Sequence, residues 1–439
     1  MHPLARNGTF LRLLVGRLVT NAGDSIYYVA ALWLIHDLGG STALTGVASF
    51  LFLVPGTLVF AVGPLVDRFS VRSVLVSTQA AQGLLILTIP VADAFGALSV
   101  GVVLVVIPLA SLLNLVTYPA QSSALPRAVE TEHLATANSV FNAAHESVNM
   151  AFNAVGGLLV GIAAVGAVGA LLVDVGTFAV AILLFAGLTL PARRPREGTT
   201  DAETDGATEE GNSVLAALRR EVRSYGGEFR DGISYLRGTA FLSVVVPQVV
   251  VSAAMGMLLA VLPAYAALQG GSGLYGVLLS AEAAGALVGA VLASRLGGVP
   301  YGRVLTLGSA LTALAWGVAA LTSWVPLIVG SFAVALVFPG ANGVLFDTLV
   351  QSVAPEDYIG RVTSSMSTLS NVSTAIGSLA GGVLAAATGP VVILWVAAGA
   401  NALVAAYFLA SASIRSLPPV GGVSRGDDRI ERFSTRSGE

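Results

Sequence analysis

The sequence predicts an all-α membrane protein, with twelve transmembrane helices arranged as two six-helix pseudo-repeats. Three observations predict it. Of 439 residues, 55% are hydrophobic and only 11% charged, against about 25% charged in soluble domains, too few to cover a water-soluble core of this size. The apolar residues fall into twelve runs, each close to the ~20 residues that a bilayer-spanning helix needs. The arginines sort to one side of those runs, as the positive-inside rule requires.

The runs lie near 9–36, 43–65, 74–92, 97–121, 138–164, 167–189, 240–268, 273–295, 304–323, 325–349, 365–388 and 390–412. With the N-terminus inside, the inner connections receive Arg6, Arg12, Arg68, Arg72 and Arg127, then the arginines of the central connection, the second half and the tail. The outer connections HDLGGS, DAFG, VGAVG, QGGSG, TSW and ATGP hold none, and only Arg17 lies well inside a span. A missed or surplus helix would throw later arginines outward. The partition therefore supports twelve spans in the cell membrane with both termini cytoplasmic. The opening MHPLARNGTFLRLLVGRL lacks a short apolar segment followed by a small-residue cleavage site, so the first helix is expected to direct the chain to the membrane.

Residues 1–189 are expected to form the first bundle and 240–412 the second. Between them, 190–239 is an inner linker. It holds an acidic low-complexity stretch, DAETDGATEEG, of the composition that stays disordered. From Ser213 to Leu236 apolar residues recur at helical spacing among arginines, which reads as a helix lying on the membrane surface. The tail, 413–439, is polar and expected to be loose. The halves echo each other. NLVTYPAQ matches LVFPGAN, aligning Pro119 with Pro339, and VETEHLATANS matches VAPEDYIGRVTS. Each of the latter precedes a glycine pair, Gly156-Gly157 and Gly381-Gly382, expected at close helix contacts. Two parallel six-helix repeats joined by a linker are a secondary-transporter architecture.

Composition narrows the chemistry. There is no cysteine, which removes disulfides, thiolate metal sites and cysteine nucleophiles. The four histidines form no HExxH and no pair at i,i+4, so no metal centre is expected. The basic residues are all arginine and the net charge is −3, which argues against a nucleic-acid partner. No nucleophile, base and orienting group stand together, so neither enzymatic chemistry nor a cofactor is expected. GSGLYG, Gly271 to Gly276, matches GxGxxG in form, but no strand precedes it, and it reads as a turn leading into a helix.

The stretch GRLVTNAGDSIYY places Arg17, Asn21, Asp24 and Tyr28 at i, i+4, i+7 and i+11 of the first helix, on one face. A charge at the bilayer centre costs about 2.5–3.5 kcal/mol on insertion scales, so this face is expected to meet protein or water. Arg17 and Asp24 are about 10 Å apart in helical rise, too far for a direct pair on a straight helix. Helix 5 offers partners in a second polar stripe: Asn138, Asn142, His145 or Glu146, Asn149 and Asn153. Arg17 and Glu146 lie at similar depth and are expected to pair on the wall of an inward-facing cavity. Asp24 is left to exchange a proton or to meet a cationic substrate. Glu282, near mid-depth of helix 8, is the third candidate acid. For all of these the competing reading is a static intramembrane ion pair. Asp347 is expected at the inner interface. Gln79, Gln82, Asn114, Tyr118, Gln248, Asn342 and Asn371 are candidate path-lining residues, though each is more commonly a helix-packing hydrogen bond.

The connection between the second and third runs reads GPLVDRFSVRSVL, Gly63 to Leu75. It resembles the loop signature of the major facilitator superfamily. With the twelve runs, the repeat and the linker, that resemblance covers essentially the whole chain and implies the major facilitator fold. GDSIYYVAALWLIHDLGGSTALTG and LPRAVETEHLATANSV are similar to the drug-exporter branch that includes macrolide-efflux and enterobactin-exporter proteins. The resemblance implies that Gly63 allows close helix packing and that Asp67 lies near the N-terminal end of helix 11, where the dipole favours a carboxylate. It further implies that Arg68 and Arg72 complete a charge cluster latching the cytoplasmic side. It gives Asp174 a structural hydrogen-bonding role. Ser70 and Val71 depart from the signature. FNAVGG, Phe152 to Gly157, keeps the glycines of an antiporter packing motif but has Phe152 and Asn153 in place of its Gly-Pro, and helix 4 holds no embedded arginine. The implied activity is export of small amphipathic or hydrophobic compounds by alternating access, coupled to protons or Na+, by a monomer in a lipid bilayer. Uptake or facilitated transport remains open at this point, as does a transporter-like sensor or lipid-handling protein without solute flux.

Overall fold

The computed structural model describes residues 3–39, 41–55, 70–162, 164–189, 242–353 and 356–422. The linker 190–239 and the signature residues Gly63, Asp67 and Arg68 lie outside them. Six helices precede the linker: α1 (Gly8–Gly39), α2 (Thr42–Leu53), α3 (Val71–Ala94), α4 (Val100–Ala128), α5 (Leu134–Gly161) and α6 (Gly166–Ala186). Six follow: α7 (Leu242–Gln269), α8 (Ser272–Leu296), α9 (Tyr301–Leu321), α10 (Val325–Val353), α11 (Glu356–Thr388) and α12 (Pro390–Ala410). Among the described residues, ten are long and apolar enough to cross a membrane. Of the other two, α2 is described over 12 residues. α5 has 28 residues, about 42 Å of helix, and its hydropathy is reduced by the asparagine-rich stripe that the sequence shows.

The twelve predicted runs and the helices agree to within a few residues at most ends. The exceptions are α4, which continues to Ala128, and α11, which begins at Glu356; α2 is described as helix only to Leu53, and the end of the second run lies outside the described residues. Both extensions are polar. A helix satisfies its own backbone and can leave the apolar layer without ending, so loss of hydropathy marked the bilayer edge, not the helix end. Local chemistry fixes two starts. Asn7 accepts the Phe10 amide through Oδ1 at 3.0 Å and donates to Ala128 O at 2.6 Å, capping α1 and tying it to the end of α4. Ser70 accepts the Ser73 amide at 3.1 Å, capping α3 at a position where the signature carries glycine.

The α1–α2, α3–α4, α5–α6, α7–α8, α9–α10 and α11–α12 connections share one end of the bundle, the turn face, and the chain ends share the other, the terminal face. Toward the turn face one continuous apolar core receives buried residues from all twelve helices, including Val29, Ala48, Val160, Tyr265, Leu278 and Ala385. Toward the terminal face the core divides. One cluster, with Leu13, Leu75, Leu125 and Phe185, belongs to the first half. The other, with Val245, Tyr301, Leu345 and Phe408, belongs to the second. The halves are thus knitted at the turn face and separate into two cores at the other.

Glycines permit that knitting. α2 meets α11 where Gly46 faces Gly382, and α5 meets α8 where Gly157 faces Gly276. A Cβ on Gly382 would lie 2.6 Å from Thr42 O and 2.8 Å from Gly46 Cα; one on Gly276 would lie 2.5 Å from Gly157 Cα. These are backbone-to-backbone approaches, with no side chain to turn aside. Three hydroxyls cross the seam. Thr42 donates to Gly382 O (3.0 Å), Thr45 to Ala260 O (2.7 Å) and Ser378 to Gly46 O (3.4 Å). Gly156 packs within the first half against Ile26 and Val29 of α1, and Gly381 within the second against Met257 of α7.

The first part of the tail is ordered, contrary to the loose tail expected from its polarity. After α12 comes a single turn, α13 (Ala412–Arg415), and the chain then folds back over the α8–α9 connection. Tyr301 N donates to Pro418 O (3.2 Å) and Gly421 N to Gly297 O (2.9 Å). Ile414, Leu417 and Val420 are buried in the second-half core. Three apolar residues at intervals of three, scattered among polar ones, anchor the strap without raising its mean hydropathy. Leu417→Ala is expected to cost about 2 kcal/mol, read as a lowered melting temperature of the purified protein. An unchanged melting curve would mean that the strap carries no stability.

Candidate functional site

The polar face of α1 divides between two neighbours. Arg17, Asp24, Tyr27 and Tyr28 line a cavity of about 350 Å³ in the first half, together with Phe52, Pro55, Gln82, Ser111 and Asn114. Asn114 Nδ2 of α4 donates to Asp24 Oδ2 at 3.2 Å. The Arg17 guanidinium and the His145 ring lie within electrostatic range of the same carboxylate. Asn21 and Ser25 face α5 instead. Asn21 Nδ2 donates to His145 O (3.1 Å), and Ser25 Oγ is 3.0 Å from Asn149 Oδ1. Asn149 Nδ2 lies 3.3 Å from His145 Nδ1. Helical geometry accounts for the split. At about 100° per residue, Asn21 is rotated ~40° from Arg17 toward one flank and Asp24 ~20° toward the other. Packing against α4 on one side and α5 on the other turns that small offset into two environments. The Glu146 side chain is outside the described set, so its expected pairing with Arg17 lies there too.

Glu282 lines neither of the larger cavities. It is on α8, 7% exposed, within electrostatic range of the Tyr28 and Tyr275 hydroxyls. Tyr275 stacks on Trp33 with ring centroids 6.2 Å apart. Glu282 therefore belongs to the contact between α1 and α8, where the two halves meet.

Asp174 of α6 is fully buried against α1. Thr177 Oγ1 donates to its Oδ1 at 3.3 Å, while Oδ2 and the buried Tyr27 hydroxyl have no partner among the described residues. Its carboxylate lies against Gly23, where any Cβ would overlap Asp174 and Thr177. Gly23→Ala is accordingly expected to destabilise by about 1–3 kcal/mol. Gly176→Ala, where a Cβ meets open space, should be neutral or stabilise by up to about 1 kcal/mol from helix propensity. Thermal unfolding of the two variants checks the contrast.

The second half holds a cavity of about 410 Å³. Gln248, Asn342 and Asn371, singled out from sequence, line it, as do Ser309 and Asn401, which were not. The only sequence signal for Asn401 is a lone amide in an apolar run, and Ser309 gave none. Asp347 is exposed on the wall of this cavity. In the first half Gln82 donates to Ala110 O (3.2 Å) and Gln79 to Gln82 Oε1 (3.4 Å), so Gln79 serves packing. The Tyr118 side chain is outside the described set. Arg72 is exposed in the first turn of α3. The two walls offer binding chemistry: one carboxylate and one guanidinium in the first half, amides, hydroxyls, aromatic faces and the Asp347 carboxylate in the second.

A sequence profile of the Major Facilitator Superfamily matches residues 13–370. The chain belongs to the major facilitator superfamily. Multidrug efflux pump Tap of Mycolicibacterium fortuitum is 27% identical over 398 residues, 88% of this chain and 91% of that protein. Among solved structures, the nucleoside transporter NupG superposes with a TM-score of 0.66 at 11% identity, covering 92% of this chain and 98% of that one. A bacterial homologue of the human lysosomal transporter Spinster, inward-facing and occupied, gives 0.66 at 14% identity over 93% and 97%. The superfamily assignment makes the chain a multi-span membrane transporter and not an enzyme. The twelve helices in two halves are the major facilitator fold.

Proposed function

We propose that this superfamily member is a secondary active exporter of small amphipathic or hydrophobic compounds, driven by exchange against protons or Na+. The observation that carries the reading is the wall of α1. Arg17 and Asp24 line a cavity whose walls include Tyr27, Ile86 and Ala110 of the joined core, while toward the terminal face the core is divided. The efflux function of the Tap relative supports the outward direction. The arginine partition supports a plasma-membrane orientation with cytoplasmic termini, in which the turn face is outer and the described state opens inward.

In this reading the bundles 1–189 and 240–412 rock against each other, the linker 190–239 spans the motion, and the monomer is the working unit. Asp24 exchanges the coupling ion with the cavity, and Arg17 and Asn114 hold its carboxylate in place. Glu282, and Glu146 of α5, are the further coupling acids, and His145 lies within electrostatic range of Asp24. Glu282 gains access to water when the halves part at the turn face. When the terminal face closes, Gly63, Asp67, Arg68 and Arg72 form the latch there. Gly156, Gly157, Gly381 and Gly382 serve the helix contacts.

The test uses purified protein in lipid vesicles under an imposed pH difference, with a panel of amphipathic drugs and dyes. Drug-dependent proton movement is expected. Binding without flux would replace the exporter by a sensor, and downhill flux indifferent to both pH and Na+ would replace it by a facilitator.

A further inference from the structure

The second-half cavity has a neighbour. Beside the 410 Å³ space lies one of about 140 Å³, and Gln248, Val251, Pro339 and Asn401 line both, so the two adjoin at a neck of these four residues. Met255, Leu258 and Trp316 wall the inner chamber. A wide chamber of this size is within the range of about 300–1,000 Å³ found for small-molecule sites.

Polar groups along this passage are left without work. Helical serines and threonines commonly return their hydroxyl to a carbonyl one turn back, as Thr306, Ser373 and Thr374 do. Ser309, lining the wide chamber, and Ser252, lining the inner one, do not. They are 1% and 7% exposed, and neither hydroxyl has a partner among the described residues. The Gln248 amide at the neck also lacks one. Asn401, 3% exposed, donates Nδ2 to Ala397 O at 2.9 Å and keeps Oδ1 open. Asn342 accepts from the Tyr301 hydroxyl at 2.8 Å and keeps its amide hydrogens. The passage thus presents both donors and acceptors. Its one formal charge among the described residues is Asp347, exposed on the wide chamber.

An ionic group at the neck would be desolvated with no counter-charge beside it. A purely apolar occupant would leave the amides and hydroxyls unpaired. We propose that this two-chamber passage holds the substrate. Its occupant is an elongated amphipathic molecule with an apolar end against Trp316 and uncharged hydroxyl, amide or carbonyl groups paired at the Gln248–Asn401 neck. Any cationic group stays in the wide chamber with Asp347. The proposal rests on the transport reading above and divides the labour: the first-half wall with Arg17 and Asp24 handles the ion, and the second-half passage handles the molecule.

Trp316 provides the test. Replacing Trp33, Trp324 and Trp395 by Phe leaves it as the sole tryptophan. The protein, held in nanodiscs, is titrated with three probes sharing one brominated alkyl chain: a monoacylglycerol, a carboxylate and a trimethylammonium. The monoacylglycerol is expected to quench Trp316 saturably at about tenfold lower concentration than the carboxylate. Gln248→Leu with Asn401→Leu should raise its half-saturation about fivefold or more. Asn401→Asp, nearly isosteric, should move the preference to the trimethylammonium probe, which keeps the test decisive should the double variant fail to fold. Quenching that is equal for all three head groups overturns the proposal, as does quenching that neither variant shifts while its melting temperature is unchanged. Because binding is read without transport, saturable quenching without proton-coupled flux would retain this site and remove the exporter reading. Coupled flux without quenching would do the reverse.

Discussion

Asp24→Asn is expected to lower gradient-driven export at least about tenfold while leaving downhill exchange and the fold intact. The substitution conserves volume and an oxygen able to accept from Asn114, whose amide donates to Asp24 Oδ2 at 3.2 Å. It opens no cavity in the α1–α4 contact, so a large stability loss is not expected. What it removes is the charge. A neutral amide cannot carry a proton or attract a cation through the cycle, and the positioned ionisable groups of a transporter path are where coupling resides. Arg17 then faces the cavity without that carboxylate. Export driven by an imposed gradient, compared with exchange at zero gradient in the same vesicles, isolates the coupling step. Full gradient-driven export by the variant would remove Asp24 from the mechanism.

The second large effect is steric. Gly382→Val is expected to hold the turn face apart and to lower transport about tenfold or more, because overpacking against backbone has no side-chain escape. The β-carbon alone would lie 2.6 Å from Thr42 O and 2.8 Å from Gly46 Cα, and Thr42 also gives its hydroxyl hydrogen to Gly382 O. Gly399→Val, where a Cβ meets open space on α12, is the control and should retain transport. The chain has no cysteine, so Thr45→Cys gives a reporter at this seam without background. Its labelling by a thiol reagent should be slow in the parent and fast beside Gly382→Val. Equal labelling in both would mean that these glycines do not set the closure.

The helices were legible because burial in lipid writes their length and spacing directly into composition. The fold followed from arginine placement and the halves' echo. The α1 stripe was legible for the same reason: Arg17 and Asp24 are too expensive in lipid to be incidental. The assignment of Asn21 to α5 was not legible, since its partner is a backbone carbonyl, that of His145, which no sequence pattern announces. Ser309 and Asn401 were missed because a lone small polar residue in an apolar helix looks alike whether it packs, bonds backward or lines a cavity; only the tertiary neighbours decide. The strap was missed because Ile414, Leu417 and Val420 are outnumbered by polar neighbours, although their spacing was there to be read.

In the proposed cycle the charged wall of α1 faces water entering from the cytoplasmic side of a bundle closed at the other end. Ser111→Cys, in the same cavity as Arg17 and Asp24, tests it with a membrane-impermeant maleimide applied to sealed vesicles of each orientation. Rapid modification is expected in inside-out vesicles and protection in right-side-out ones, with protection lost when Gly382→Val is added. Modification only by a lipid-soluble maleimide, or only from the outer side in the parent, would contradict it.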